Sequence, residues 1–210
     1  MLIAERQGRP FKFVGNWPCL DFVNTKNWAT NEAVYERFRT YADFVWWNHA
    51  SGYLSDGLTQ QLLDTASLQP DKAADLFHQG LSLRETIYQV FESIATEKPL
   101  IAVDLTVLNN NIQQNLAQSS LSPMKKSFTW QWAGSPLALE RVFWPIIWSA
   151  AELLTSDKLE RVGKCAALAC GWLFLDTSRN GRRRWCEMQH CGNLAKARRH
   201  YRRYKAEKQS

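Results

Sequence analysis

A mainly α fold with a small β component is what this sequence predicts: a helical domain over residues 10–156, then a small unit of β-hairpin and helix over residues 161–206. Three observations carry that prediction. Apolar residues recur at helical spacing through most of the first 155 positions, with Ser and Pro where helices should start. Four of the five cysteines form two close pairs near the C-terminus, Cys165 with Cys170 and Cys186 with Cys191, separated by fifteen residues. The charge is also divided: from Val162 onward twelve Lys and Arg face three acids, a local +9, leaving −3 on residues 1–161 within the total of +6.

Composition sets the outer bounds. At 210 residues, 45% hydrophobic and with ten tryptophans, the chain can bury a sizeable core, as one large domain or as a medium domain with an appendage. The most apolar stretch, Val142 to Leu154, is too short for a membrane span and contains Pro145 and Glu152. The first residues, MLIAERQGRPFKF, lack the apolar core of a signal peptide, so a cytoplasmic location is expected. Reduced thiols there favour metal binding over disulfides.

Taken in order, residues 1–15 read as a polar arm leading into a strand or turn. Asp21 and Asn24 follow, three apart among apolar neighbours. Two roles are open to them: lining a ligand pocket, or capping a helix and tying down a loop through short polar side chains. Cys19 has no partner at ligand spacing and reads as a small core residue. Asn31 to His49 carries the stripe Val34, Phe38, Tyr41 and Val45, which predicts a helix; of the adjacent Trp46 and Trp47, at least one should reach the core edge or a cavity. Ser55 starts a helix through Leu63. Pro70 or Asp71 starts a long one, which Lys98-Pro99 ends, with Arg84-Glu85 as an ion-pair position within it. Ile101 to Leu116 gives another, through Leu105, Leu108, Ile112 and Leu116. Ser119 to Lys126 reads as a loop, and Phe128 to Trp132 as a strand that could pair with the stretch near residue 20. Pro136 to Thr155 is an apolar helix that Pro145 should kink or split, and Asp157 to Lys164 is a linker.

The cysteine spacing suits a tetrahedral zinc ion. Each pair supplies two thiolates from one tight turn, and the intervening chain must travel out and back to join them. Gly171 to Leu175 gives a first strand, with Trp172 and Phe174 on one face and Leu173 and Leu175 on the other. Asp176 to Gly181 gives the turn and Arg182 to Cys186 the second strand. Asn193 then reads as an N-cap, and Leu194, Ala197, Tyr201 and Tyr204 as a stripe able to pack on the hairpin. Knuckle, hairpin and helix make a treble-clef-like finger. A quartet of thiolates leaves no open coordination position, so the metal is expected to be structural. His190 beside Cys191 is not needed as a ligand.

Basic residues surround that framework. Arg179, Arg182, Arg183 and Arg184 come from the hairpin; Lys196, Arg198, Arg199, Arg202, Arg203 and Lys205 come from the helix. A cationic surface fixed by one metal is the footprint expected of a nucleic-acid reader. The four histidines are scattered, and HExxH, GxSxG and glycine-rich phosphate-loop motifs are absent, so the sequence does not read as an enzyme.

The same residues carry a family resemblance. GWLFLDTSRNGRRRWCEMQHCGN followed by AKARRHYRR resembles the CGNR-type zinc finger, and Cys19 to Thr25 (CLDFVNT) resembles the signature opening the ABATE domain of the same bacterial proteins, described as stress-induced transcription regulators. Arg84-Glu85 also resembles a recurrent feature of that family. The resemblance implies a zinc-containing, DNA-binding regulator whose N-terminal domain senses a small-molecule effector or mediates assembly, a homodimer included. One departure stands out: where the motif has Cys-Gly-Asn-Arg, this chain has Cys191-Gly192-Asn193-Leu194. Leu194 either changes a contact to DNA or extends the apolar stripe. Two alternatives belong to other classes: an adaptor whose finger docks on an acidic protein, and a small-molecule-binding or enzymatic N-terminal domain with a pocket near Asp21, Asn24 and the tryptophans.

Overall fold

The computed structural model describes residues 11–29 and 36–208, without the side chains of Arg203 and Ala206. The first ten residues of the predicted arm over residues 1–15, and the predicted helix start at Asn31 with Val34, lie outside the described residues.

The body is built around two helices of very different length. Helix α1 (Pro18–Val23) starts with a proline, whose missing N–H costs nothing at a first turn, and buries every residue from Cys19 to Val23. Predicted Cys19 is accordingly a core residue, and burial pushes its thiol pKa well up. Helices α2 (Tyr41–Ala50) and α3 (Asp56–Leu68) precede α4 (Pro70–Ala95), the long helix expected from Pro70. Helix α4 buries Ala73, Leu76, Gly80, Leu83, Ile87 and Phe91 along one face, against α1, α2, α3 and α5 (Ala102–Leu116). Ser55 caps α3 as expected, accepting from Leu58 N.

Helix α2 starts ten residues later than predicted. Asp43 accepts from the backbone N–H of both Arg39 (2.7 Å) and Thr40 (3.0 Å), which fixes Thr40 as the extended residue before the helix. Glu36 instead lies in extended backbone opposite Lys26. Of the paired tryptophans, Trp47 is fully buried and Trp46 half-buried.

Two further expectations are corrected in the middle of the chain. Strand β2 (Phe128–Trp132) forms as predicted, but its partner is β1 (Ser119–Pro123), the stretch expected to be a loop, in the antiparallel register Leu121 opposite Trp130. The region near residue 20 is helical and unavailable. The hairpin is held to the body through tryptophans on both sides: Trp130 packs on Trp148, and Trp144 Nε1 of the body donates to Ser119 Oγ at 2.8 Å. Pro145 splits its segment as expected, into a 3-10 turn (Leu139–Phe143) and helix α6 (Trp144–Leu154).

The predicted linker, Asp157 to Lys164, ends in a strand after a 3-10 turn (Leu159–Arg161). β3 (Val162–Lys164) pairs antiparallel with β4 (Leu173–Leu175), with Gly163 opposite Phe174. Residues 182–186, expected as the second strand, form none, because β4 finds its partner on the other side of the first cysteine pair. The alternation along β4 is as predicted: Leu173 and Leu175 enter the core of the body beside Val162, while Phe174 joins Trp172 and the cysteines. The other edge of β4 meets the N-terminal segment, with Leu175 N donating to Gly15 O at 2.7 Å. Among the described residues, no helix is long and apolar enough to cross a membrane.

Gly80 marks the tightest crossing. A Cβ there would lie 2.6 Å from the ring of Phe44 and 2.7 Å from that of Phe143. Alanine would gain about 1 kcal/mol in helix propensity but force aromatic rings apart at about 1–3 kcal/mol. Two ring contacts under 3 Å put the cost at the upper end of that range, so Gly80→Ala is expected to lower the stability of the body by up to about 2 kcal/mol in urea denaturation, against the propensity trend.

Candidate metal centre and basic surface

The first cysteine pair sits on the loop between β3 and β4. Cys165 N donates to Trp172 O at 2.8 Å, and Cys170 N to Ala167 O at 3.1 Å, so the chain reverses tightly between the two sulfurs. Gly171 has φ +73°, and a Cβ there would stand 2.9 Å from Trp28 Cβ, so the turn requires glycine. Ala166 N donates to Arg184 O at 2.9 Å and joins this knuckle to the second half of the finger.

The second pair follows a different local rule. Cys186 precedes a π-helical turn (Met188–Gly192) that carries Cys191 and runs directly into α7 (Asn193–Glu207). Asn193, expected to cap α7, is already helical at φ −67°, ψ −40°, and its side chain donates to Gln189 O at 3.0 Å. The capping expectation fails because the turn before it is itself helical and supplies the preceding carbonyls.

These two knuckles bring all four sulfurs within 4.8 Å of one another. Cys186 Sγ is 3.6 Å from both Cys170 Sγ and Cys191 Sγ. A disulfide needs about 2.0 Å, whereas the edge of a tetrahedron with metal–sulfur bonds of ~2.3 Å is about 3.8 Å. The separations therefore fit a metal. The thiols share protons unevenly: hydrogen bonds from Cys170 and Cys186 pull Cys165 down, while hydrogen bonds with Cys165 and Cys170, together with burial, push Cys186 up. Binding a divalent cation requires all four as thiolates, so it releases the protons that remain. His190 is exposed and stands outside the quartet.

Arg183, expected on the nucleic-acid surface, points inward instead. Its guanidinium donates to Val14 O (2.7 Å), Leu175 O (3.2 Å) and Cys186 O, its Nε donates to Trp185 O (3.0 Å), and the group lies 4.3 Å from the Phe174 ring centroid. Fully engaged with carbonyls, it joins the arm, β4 and the second knuckle. Asp176 supports this fold of the loop by accepting from Ser178 N and Arg183 N, both at 2.8 Å.

Asn24 and Asp21 tie the body to the same region. Asn24 Nδ2 donates to Leu173 O at 2.8 Å and its Oδ1 accepts from Leu173 N at 2.9 Å, so the side chain imitates a strand neighbour. Asp21 accepts from Gly15 N at 2.7 Å. Burial raises its pKa to about 7, against the pull of the Gly15 and Val14 N–H groups and the Arg183 charge. Asp21 also borders a shallow cleft of about 300 Å³ with Trp17, Trp47 and Tyr53. Arg84 is 3% exposed and forms a bidentate pair with Glu36 (2.7 and 2.5 Å) while donating to Thr25 Oγ1 at 2.9 Å.

A clamp of aromatic residues escaped the sequence analysis. Trp28 stacks on Tyr88 at 3.7 Å and donates to Val23 O, Tyr88 Oη donates to Gly171 O, and Trp172 Nε1 donates to Lys26 O. Each belongs to a different segment, so no local periodicity announces them.

The remaining basic residues face outward. A groove of about 380 Å³ runs between the first knuckle and α7, and it gathers Arg184, Arg198, Arg199 and Arg202 around Leu168 and Leu194. Arg179, Arg182, Lys196 and Lys205 are exposed outside it, and the side chain of Arg203 is not among those described. The apolar stripe of α7 does not pack on the hairpin. Tyr201 is 66% exposed and Leu194 42%, because α7 meets the finger mainly at its first turn and then projects.

Residues 16–157 match the family described as "Putative stress-induced transcription regulator" (ABATE), and residues 161–204 match the CGNR zinc finger. The chain belongs to the ABATE family. None of the curated proteins compared with it matches. In this ABATE protein the four converging cysteines and the matched finger identify a zinc site.

Two measurements test this assembly of ABATE body and finger. Zinc analysis of purified protein should give one ion per chain, and Cys186→Ser should lose it, exposing Trp172 and Trp185 to fluorescence quenchers. Asn24→Ala leaves both Leu173 backbone groups buried without partners and should cost about 2–4 kcal/mol in denaturant unfolding, with the zinc content unchanged.

Proposed function

We propose that this ABATE-family protein is a non-catalytic, DNA-binding transcription regulator acting in the cytoplasm, with α7 and the first knuckle as its nucleic-acid interface. The observation that supports this is the groove holding Arg184, Arg198, Arg199 and Arg202, on two elements joined through one zinc site. Such a rigid cationic groove meets phosphates in fixed register, unlike a charged tail. Helix α7 projects with most of its described side chains exposed, as a helix entering a major groove must. Leu194, where the motif has Arg, offers an apolar contact of the kind that reads a thymine methyl in place of a guanine-reading guanidinium.

In this reading the body senses an effector or assembles the protein, since a single finger spans few base pairs and a second copy would lengthen the site. Strand β4 links the two activities: its Leu173 and Leu175 belong to the body and its Phe174 to the finger. Exposed Tyr201 and Tyr204 favour, as a second reading, a finger that docks on an acidic protein.

The deciding experiment is a salt titration of zinc-loaded protein on random-sequence duplex DNA. Binding should weaken steeply with salt, and Arg198→Ala/Arg199→Ala should reduce the log–log slope by about 2. Absence of binding at low salt, by protein that is folded and metal-loaded, would exclude DNA as the partner and favour the acidic protein.

A further inference from the structure

A second site lies in the body, remote in chain from the finger. Between the β1–β2 hairpin and the start of α6 is a cavity of about 170 Å³, walled by Tyr53, Trp130, Trp132 and Trp144 and bordered by Asn48 and Arg141. Gln131 also lines it, Tyr53 carries a hydroxyl, and two of its polar side chains, Asn48 and Arg141, each have an unpaired group.

Asn48 is 1% exposed. Its Nδ2 donates to Phe44 O at 2.9 Å and to Val142 O at 3.0 Å, which fixes the amide orientation, because a flipped amide would set oxygen against two carbonyls. Oδ1 is then buried with no partner. A buried acceptor left unpaired is costly, and Asn48 borders the cavity, so a donor that reaches this amide from the cavity side relieves that cost. Arg141 is half-buried, and its side chain has no hydrogen bond or ion pair with any described residue. Burial lowers its pKa, as expected of a cation lacking a counter-ion.

The walls fix the rest of the chemistry. Trp132 Nε1 donates to Ser135 O at 3.0 Å and Trp144 Nε1 to Ser119 Oγ at 2.8 Å, so these indoles offer the cavity only their apolar surfaces. The volume is close to that of a cavity of about 150 Å³ that accepts benzene, which admits one substituted ring. We propose that this cavity binds a small planar aromatic carboxylate bearing a ring hydroxyl or amino group. The carboxylate pairs with Arg141, the ring packs among the tryptophans, and the hydroxyl or amino hydrogen satisfies Asn48 Oδ1. The site rests on the reading of the body as a sensor only for its purpose; its binding chemistry involves no DNA.

The test is isothermal titration calorimetry on full-length zinc-loaded protein with salicylate, anthranilate, benzoate and phenol, each without DNA. Salicylate or anthranilate should bind saturably and quench tryptophan fluorescence. Benzoate, lacking the donor to Asn48, and phenol, lacking the carboxylate, should each bind about tenfold or more weakly. Arg141→Gln should weaken salicylate about tenfold while leaving phenol unchanged, and Trp130→Leu, on the partly exposed hairpin, should weaken all four. Absence of salicylate and anthranilate binding up to about 10 mM, equal affinity for benzoate, or unchanged affinity in both variants would overturn the proposal. Because no DNA is present, any of these results leaves the DNA-binding proposal standing, and loss of DNA binding leaves this one standing.

Discussion

The amide of Asn24 closed on the backbone of Leu173 is the contact on which the two halves of this molecule depend. Strand β4 is only three residues long, far too short to be stable by its own ladder. It persists because everything around it is satisfied: β3 pairs with it, Gly15 accepts from Leu175 at its other edge, and Asn24 reaches its first residue from α1. Both of its faces are buried, one in each core. The metal site is therefore anchored to the body through a strand that the body itself completes.

How much of this was legible depended on whether the signal was local. Pro70, Ser55 and Pro145 announced helix ends through backbone chemistry that needs no distant partner, and the structure follows them. The Trp172/Phe174 and Leu173/Leu175 alternation was equally readable, since period two shows within one short run. Pairing was not. Val162–Lys164 looks like a linker, and Ser119–Pro123 is too polar to advertise a strand; both are strands because of partners ten or so residues away. The late start of α2 had a local cue, Thr40 with Asp43, but the apolar spacing continued upstream and masked it. Arg183 shows the limit most clearly. In sequence it is one of three adjacent arginines, and only the positions of Val14, Leu175 and Cys186 decide that it turns inward while its neighbours face water.

That inward turn sharpens the electrostatic division of the molecule. The finger has few acids, and two of them are occupied in holding it together: Asp176 on the backbone of its own loop, Glu187 on Lys12 at 2.6 Å. Neither neutralises the arginines of the groove. With Arg183 withdrawn, the outward cations are those on two elements set in relation by the cysteines, so their spacing is a property of the metal site. The body, by contrast, pairs charges within itself, Arg84 with Glu36 and Lys72 with Glu140, while its Glu92 reaches Lys164 of the finger.

Asn24 and Leu173 are 149 residues apart, and Arg183 reaches Val14 across 169. Contacts of such sequence separation close late, because the chain between them must already be gathered. On a ribosome the N-terminal segment and α1 emerge long before the strand that will cover them. Helices α4 and α6 cover much of α1, but the edge that meets β4, Asn24 included, stays open until residues 173–175 have been made. A chain stopped before β4 would leave that edge of the body without its partner, with the Asn24 amide and the Gly15 carbonyl both unpaired there.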